Sequence, residues 1–435
     1  MRVALINPPV EHRYVHGIDE PLNLEYLAAQ IRNKHDVLII DSFSNGISVK
    51  ETIDLVIGLS VDIVGISTVF SSAYKTTKEL CEGIKTANPG IWTILGGNTA
   101  TFLADKLVKL PAIDFVVRRE GDISFPALIE AIGQNTGWDE IQGISYYDGL
   151  FAVHNPDQPL IQDLDLLSFP ARDLLPNSAQ YPKSILSARG CAYGCPYCSA
   201  SAFWGNKFRM RSVENIIDEI KLLNERKKLT FFSFADDCFT LIPRRAMEIC
   251  SRIKELNLEA TWSCTGRIET ISEGLLQALR SAGCKSMFFG IESGSDKILE
   301  TLGRRYTGGE VEEVYKLCIA HDIKPYFSFI VGLPFENRED ISATFELIQK
   351  LEGVENGVHM LTPFPGTPIL TDPDKYEIEI LPHSIEELDI NTRSFIKTKH
   401  LSPENIEEAF RKALGYSFKA LRKTRVISRI LSQIE

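Results

Sequence analysis

No apolar run in the 435-residue sequence approaches the roughly 20 residues that a helix needs to cross a bilayer. The opening stretch, Met1-Arg2-Val3-Ala4-Leu5-Ile6-Asn7, is too short an apolar segment for a secretory signal and reads as a first strand, so a cytoplasmic location without a membrane span is expected. An excess of basic residues is also lacking: 47 Lys and Arg stand against 58 Asp and Glu, a net charge of -11 at pH 7. A broad nucleic-acid footprint usually needs a basic face, so nucleic acid is disfavoured as a partner. A disulfide framework is missing too. The nine cysteines are odd in number, and Cys81, Cys238, Cys250, Cys264, Cys284 and Cys318 stand singly. No Gly-x-Gly-x-x-Gly follows the first strand candidate, which leaves a dinucleotide-binding fold poorly supported.

What is present is alternation. Short apolar runs at 3–7, 37–41, 63–67, 92–95 and 115–117 alternate with amphipathic segments at 22–32, 49–59, 73–86 and 125–132. A βαβ pattern with five strands over residues 1–135 predicts a parallel, doubly wound (Rossmann-like) α/β domain. Ligands of such sheets bind at the carboxyl ends of the strands. Those ends carry Asn7-Pro8-Pro9, Asp41-Ser42, Ser67-Thr68, Gly96-Gly97-Asn98 and Glu120-Gly121. Any one of these can be a plain turn. The pair Gly96-Gly97 is more informative, because glycine lets a ligand approach the backbone closely.

Residues 136–183 read as a connector, with runs 144–147 and 150–153 flanking the hairpin signal Asp148-Gly149. A second alternation starts at Ser184. Strand candidates at 184–188, 230–235, 260–264, 286–291, 325–330 and 357–361 are separated by helical segments at 213–224, 244–256, 273–282, 310–320 and 341–351. Six units in a row over 184–370 predict a partial, TIM-like (β/α)6 barrel, not a closed eight. Residues 371–435 form a C-terminal helical region, helical over 403–434, with Lys and Arg across 411–429 that read as a solvated face.

The remaining three cysteines cluster as Cys191-Ala-Tyr-Gly-Cys195-Pro-Tyr-Cys198, directly after the first strand of the barrel. Soft thiolates favour zinc or iron–sulfur centres. A structural zinc site wants four ligands, and no fourth is offered nearby: the nearest upstream histidine is His154 and the next downstream is His321. Three cysteines around a four-iron cluster leave one iron open to a substrate or cofactor.

This C-x3-C-x2-C spacing, with the aromatic Tyr197 before its last cysteine, resembles the radical S-adenosylmethionine superfamily. The resemblance implies a [4Fe-4S] cluster on Cys191, Cys195 and Cys198. It implies S-adenosylmethionine chelated at the open iron and cleaved by one electron to a 5′-deoxyadenosyl radical, with a reductant such as flavodoxin or ferredoxin. Later strand ends fit the same family: Ala235-Asp236-Asp237, Cys264-Thr-Gly-Arg267, Phe289-Gly-Ile-Glu292-Ser293-Gly294-Ser295, Phe329-Ile-Val-Gly332-Leu-Pro334 and Thr362-Pro-Phe-Pro-Gly-Thr-Pro368. By resemblance, Tyr197 lies beside the adenine, Glu292 and Ser293 contact the ribose or amino end, and Arg267 pairs with the carboxylate; Asp236 and Gly332 join the cofactor set. From the residues alone, Glu292 can equally cap the next helix and Arg267 sit in a surface ion pair. Asp236 and Asp237 are adjacent, so at most one of them faces the site.

The first domain extends the resemblance to the cobalamin-dependent class of this superfamily. Asn7-Pro-Pro9, Glu20-Pro-Leu-Asn-Leu-Glu-Tyr-Leu-Ala-Ala29, Leu95-Gly-Gly-Asn98 and Arg119-Glu-Gly-Asp122 each look like a family signature. Residues 1 to about 370 are covered. Ser67, Gly96, Gly97 and Asn98 are then the expected cobalamin contacts. Two departures stand out: there is no D-x-H-x-x-G motif, and Asn98-Thr99 occupies a turn where the family often has Pro-His. The implied activity is cobalamin-dependent methyl transfer to an unactivated carbon of a small-molecule or natural-product intermediate. The alternative is a radical dehydratase, cyclase or rearrangement enzyme whose first domain binds no cobalamin. A sulfur-inserting enzyme would usually show a second cysteine cluster, and the sequence shows no second clustered set.

Overall fold

The structure is a computed structural model and describes residues 1–10, 20–69 and 71–422. Two compact units emerge: Met1–Ser184 with Ser384–Glu387, and Ile185–His383 with Leu388–Glu435. Among the described residues no helix is long and apolar enough to cross a membrane.

In the first unit, β1 (Arg2–Asn7), β2 (Asp36–Asp41), β3 (Ile63–Ser67), β4 (Trp92–Gly96) and β5 (Phe115–Val117) pair in parallel in the order β2-β1-β3-β4-β5. The apolar runs follow from burial on both faces. Val3 and Leu5 pack with Leu24, Ala28 and Leu128 on one side, while Ala4 and Ile6 pack with Val56, Leu80 and Ile84 on the other. The chain order reverses at β1, so the sheet is doubly wound as expected.

The sheet has two more strands than the five read from the sequence. The hairpin of β6 (Ile144–Tyr147) and β7 (Ala152–His154) adds antiparallel to the open edge of β5. Its turn is set by Asp148, whose Oδ1 accepts the amides of Leu150 and Phe151 at 2.7 Å, and by Gly149 at φ +98°. The chain beyond it also belongs to this unit. Fully buried Glu20 accepts from Arg172 at 3.1 Å and from Lys183 at 2.8 Å, so its charge is doubly compensated.

In the second unit, a six-stranded sheet follows chain order: β8 (Lys183–Ile185), β11 (Phe231–Phe234), β12 (Thr261–Gly266), β13 (Cys284–Glu292), β14 (Lys324–Val331) and β15 (Glu355–Met360), with β9 (Ala188–Gly190) and β10 (Phe208–Met210) forming a separate ribbon. Neighbours from β11 to β15 are parallel. Sequential order is that of a barrel wall, in agreement with the partial barrel expected. Phe232, Phe234, Trp262, Phe289, Phe327 and Phe329 face one way into the core. The alternate row is mostly small: Ser233, Ser263 and Ser286 share one register row, and Gly290, Ser328 and Gly357 another.

The first barrel strand differs from the expectation. Residues 184–188 do not run straight but break between β8 and β9, because the amide and hydroxyl of Ser187 are taken by Asp236 instead of a strand ladder. At the C-terminus a ribbon of β16 (Ile378–Ile380) and β17 (Ile396–Thr398) precedes the helix Pro403–Arg422. That helix buries Ile406, Ala409, Phe410 and Ala413 in the core. The rest of the tail helix expected over 403–434 lies outside the described residues.

Candidate functional site

The cysteine loop leaves β9 at Gly190, which has φ +90° and whose Cβ, if present, would run into the carbonyl of Lys207. Only glycine turns the chain there. Inside the loop the amide of Cys198 donates to the carbonyl of Cys195 at 3.1 Å, and the hydroxyl of Ser201 donates to the carbonyl of Tyr193 at 2.9 Å. Cys198 then occupies the N-cap position of the short helix Ser199–Trp204, without a side-chain cap hydrogen bond. All three cysteines are free and partly exposed. Burial raises the Cys191 and Cys198 thiols, and the neighbouring Cys195 adds to both shifts. Among the described residues, no three His, Cys, Asp or Glu side chains converge tightly enough to hold a single ion. A cubane asks for a wider spread, since each thiolate takes a different iron, so three free, partly exposed thiols on one loop fit a cluster better than a closed zinc site.

The strand ends divide into groups that meet and groups that do not. Tyr197 and Glu292 are brought together by Arg304, whose Nη2 donates to the Tyr197 hydroxyl at 2.6 Å and to Glu292 Oε1 at 2.5 Å. Glu292 is buried at φ +74°, a left-handed conformation that costs a non-glycine residue about 1–3 kcal/mol. The register slips between Gly290 and Glu292 at this point, and the carboxyl folds back over Gly290, where a Cβ would lie 2.5 Å from its Oε1. Glu292 does not cap the next helix; Ser295 does. Burial raises its carboxyl pKa, and the Arg304 charge partly offsets this.

Arg267 is buried, not in a surface ion pair. Its Nε and Nη2 both donate to Glu269 Oε1, at 2.8 and 2.6 Å, and its guanidinium stacks 3.5 Å over the Tyr193 ring. Its pKa is raised: burial and the nearby Arg304 charge pull it down, and Glu269 outweighs them. Ser293 turns away from the strand end. Its hydroxyl pairs with Thr344 at 3.2 Å and accepts from the Ser295 amide at 3.1 Å. Gly332, at φ +84°, donates its amide to Glu336 Oε2 at 2.7 Å, and Leu333 does so at 3.2 Å. Burial pushes the Glu336 carboxyl up to about 8.

The two adjacent aspartates lie just past the end of β11 and separate, one buried and one exposed. Asp236 points into the wall, where Oδ1 accepts the amides of Ser187 and Ala188 at 2.7 and 3.3 Å and Oδ2 accepts the Ser187 hydroxyl at 2.5 Å. Burial raises it to about 6. Asp237 is the exposed one, in the field of Cys191. Burial raises its pKa, and hydrogen bonds with the Gly190 backbone and the Trp204 side chain partly offset this. Cys238 is buried beside the same loop, and burial with the Cys191 charge pushes it to about 12. Sequence reasoning missed Arg304, Thr344 and Glu336. The only signal for Arg304 was a second arginine beside it, which reads as surface charge.

In the first unit the ends of β3 and β4 meet. Thr68 donates its amide to Gly96 at 2.7 Å, and Thr99 donates to Thr68 at 3.0 Å. Gly97, at φ +98°, has no room for a Cβ, which would lie 3.0 Å from the Thr68 carbonyl. Ser67 accepts from the Asn23 amide at 2.6 Å. Two buried atoms here, Thr68 Oγ1 and Asn98 Oδ1, have no hydrogen-bond partner among the described residues. A buried polar atom without a partner costs about 1–3 kcal/mol, which a polar ligand would recover. The amide-fringed rim of a corrinoid fits such a cradle.

Residues 185–348 match the radical SAM superfamily profile, and residues 13–129 match the B12 binding domain profile. An uncharacterized methyltransferase of Pyrococcus horikoshii, PH0819, is 32% identical over 430 residues, covering 95% of this chain and 91% of the relative. The chain therefore belongs to the radical SAM superfamily, in the class with an N-terminal B12 binding domain, and is an enzyme of that class. An anaerobic magnesium-protoporphyrin IX monomethyl ester cyclase of Rubrivivax gelatinosus is 28% identical, covering 87% of this chain and 71% of the cyclase. Among solved structures, the radical S-adenosylmethionine methyltransferase TsrM of Kitasatospora setae, with cobalamin and a [4Fe-4S] cluster bound, superposes with a TM-score of 0.76 at 18% identity, covering 96% of this chain and 88% of that one. That likeness concerns the fold.

Proposed function

We propose that this chain is a cobalamin-dependent radical S-adenosylmethionine methyltransferase acting on an unactivated carbon of a small molecule. The observation that carries the reading is the meeting of Tyr197, Arg304 and Glu292 at the barrel's strand ends, beside three free thiols on one loop. Cys191, Cys195 and Cys198 would hold the [4Fe-4S] cluster. Tyr197, Glu292, Arg267 and Gly332 would line the S-adenosylmethionine site, with Asp237 at its edge. Asp236 and Ser293 serve from behind, as anchors of β9 and of the β13 turn. Ser67, Gly96, Gly97 and Asn98, joined by Thr68, would cradle cobalamin. When bound, these groups supply reductive cleavage of a sulfonium and a carrier for methyl groups.

The protein's own part is positioning, charge compensation and exclusion of water. In this reading residues 1–135 serve cobalamin, 136–183 form a connector, 184–370 serve the radical step and 371–435 make up the C-terminal region. The likeness to PH0819 supports methyl transfer. A flavodoxin- or ferredoxin-like reductant and a cytoplasmic setting accord with nine free cysteines.

Anaerobic purification with added corrinoid, followed by an absorbance spectrum and product analysis, tests the reading. Bound corrinoid, iron and sulfide, and joint formation of S-adenosylhomocysteine and 5′-deoxyadenosine, are expected. Formation of 5′-deoxyadenosine alone by a corrinoid-free protein would replace it with the reading as a radical dehydratase, cyclase or rearrangement enzyme.

A further inference from the structure

We infer that Arg304 is a positioning residue that sets the spacing between the cysteine loop and the end of β13. Its side chain is buried, and a single nitrogen, Nη2, serves two acceptors from distant parts of the chain. One acceptor is the hydroxyl of Tyr197, which lies between Cys195 and Cys198. The other is the carboxylate of Glu292, the last residue of β13. The guanidinium is thus a brace across the mouth of the barrel. It also neutralises a carboxylate that would otherwise be buried alone.

The brace has a rigid foundation. Arg304 follows Gly303 at φ +72°, and its amide donates to the Leu299 carbonyl at 2.8 Å, which closes the helix Asp296–Thr301. Two residues on, the Tyr306 hydroxyl donates to the carbonyls of Gly290 at 3.2 Å and Ile291 at 3.0 Å. One loop therefore holds both the backbone and the side chain of the strained strand end. Glu292 stays at φ +74° because this loop over-determines it. Arg304 Nε is buried without a hydrogen-bond partner among the described residues, so the guanidinium has a donor to spare. Arg267 differs: its Nε and Nη2 are already committed to Glu269.

The inference rests on the proposed reading of this mouth as the S-adenosylmethionine site. Full-length Arg304→Gln, Arg304→Lys and Tyr197→Phe proteins, reconstituted anaerobically with iron and sulfide, test it. The readouts are iron content, thermal midpoint, S-adenosylmethionine affinity by equilibrium dialysis, and the EPR spectrum of the reduced cluster with and without S-adenosylmethionine. Arg304→Gln is expected to keep its iron but to melt at a lower temperature, because Glu292 is left buried without its cation, while affinity falls roughly ten- to hundredfold, the size of one lost charged hydrogen bond. Its EPR response to S-adenosylmethionine should fade, and Arg304→Lys should restore part of both. Tyr197→Phe should weaken binding less, and adding it to Arg304→Gln should cost nothing further. Unchanged affinity and EPR response in a folded Arg304→Gln protein would overturn the inference. If that variant does not fold, normal binding by both Arg304→Lys and Tyr197→Phe would overturn it equally. A wild-type protein with neither iron nor affinity would instead overturn the reading of the site itself.

Discussion

Glu336 makes the second unit less stable as pH rises. The residue is fully buried at the turn after β14. Its Oε2 accepts two backbone amides, while its Oε1 has no hydrogen-bond partner among the described residues. Burial lifts its pKa from 4.5 to about 8. The folded chain therefore holds a proton at this site that the unfolded chain releases, and between pH 4.5 and about 8 folding stability falls with rising pH. At about 1.4 kcal/mol per pKa unit, the loss across that window is on the order of 5 kcal/mol. Glu336→Gln keeps an oxygen for Gly332 and Leu333 and cannot ionise. Its amide group replaces a partnerless oxygen, so at pH 5 it should be slightly less stable than the parent, by about 1 kcal/mol. By pH 9 it should be the more stable protein by several kcal/mol. Urea unfolding of both full-length proteins at pH 5, 7 and 9, followed by far-UV circular dichroism, reads the gap directly. A gap that stays constant with pH, or widens against the glutamine protein, would refute the reasoning.

Substitutions at two further positions address the supports of the candidate sites. Asp236→Ala strips three donors on Ser187 and Ala188 of their acceptor and should destabilise by about 2–5 kcal/mol, whereas Asp236→Asn, which keeps one acceptor, should lose about half as much. Equal losses in chemical denaturation would show that the hydrogen bonds are not what matters there. Ionisation of Asp236 also has a sign: its folded pKa of about 6 exceeds 3.8, so its contribution declines as pH rises through that interval. Gly97→Ala must place a Cβ 3.0 Å from the Thr68 carbonyl at φ +98°, a strain of about 1–3 kcal/mol confined to the turn of the first unit. Corrinoid retention, read by absorbance after gel filtration, should fall while iron content stays at the parent level. Full corrinoid retention would place the ligand elsewhere.

The elements were legible because local periodicity encodes them. The parallel strands of the first unit showed as mostly apolar runs, since burial on both faces leaves little place for polar side chains; Thr93, buried in β4, has its hydroxyl taken by Ala112 and Asp114. The cysteine loop was legible as well, because ligand spacing is a local property of the chain. Helix boundaries came within a few residues, except at Gly121–Gln134, where Pro126 falls inside the first turns and hid the true start.

Tertiary structure alone decided which polar side chains meet. Alternation allowed at most one of Asp236 and Asp237 to face the site, and Asp236 is held by Ser187, 49 residues away, whose backbone captures it. Ser293 was claimed by Thr344 across 51 residues, and Tyr197 was joined to Arg304 across 107. The strain at Glu292 has no mark in its sequence neighbourhood, because it is imposed by a loop that returns to the strand. Apolar residues need only a face, and a face has a period. A buried hydrogen-bonding group needs one partner at one distance and angle, and that partner is chosen by how distant segments pack.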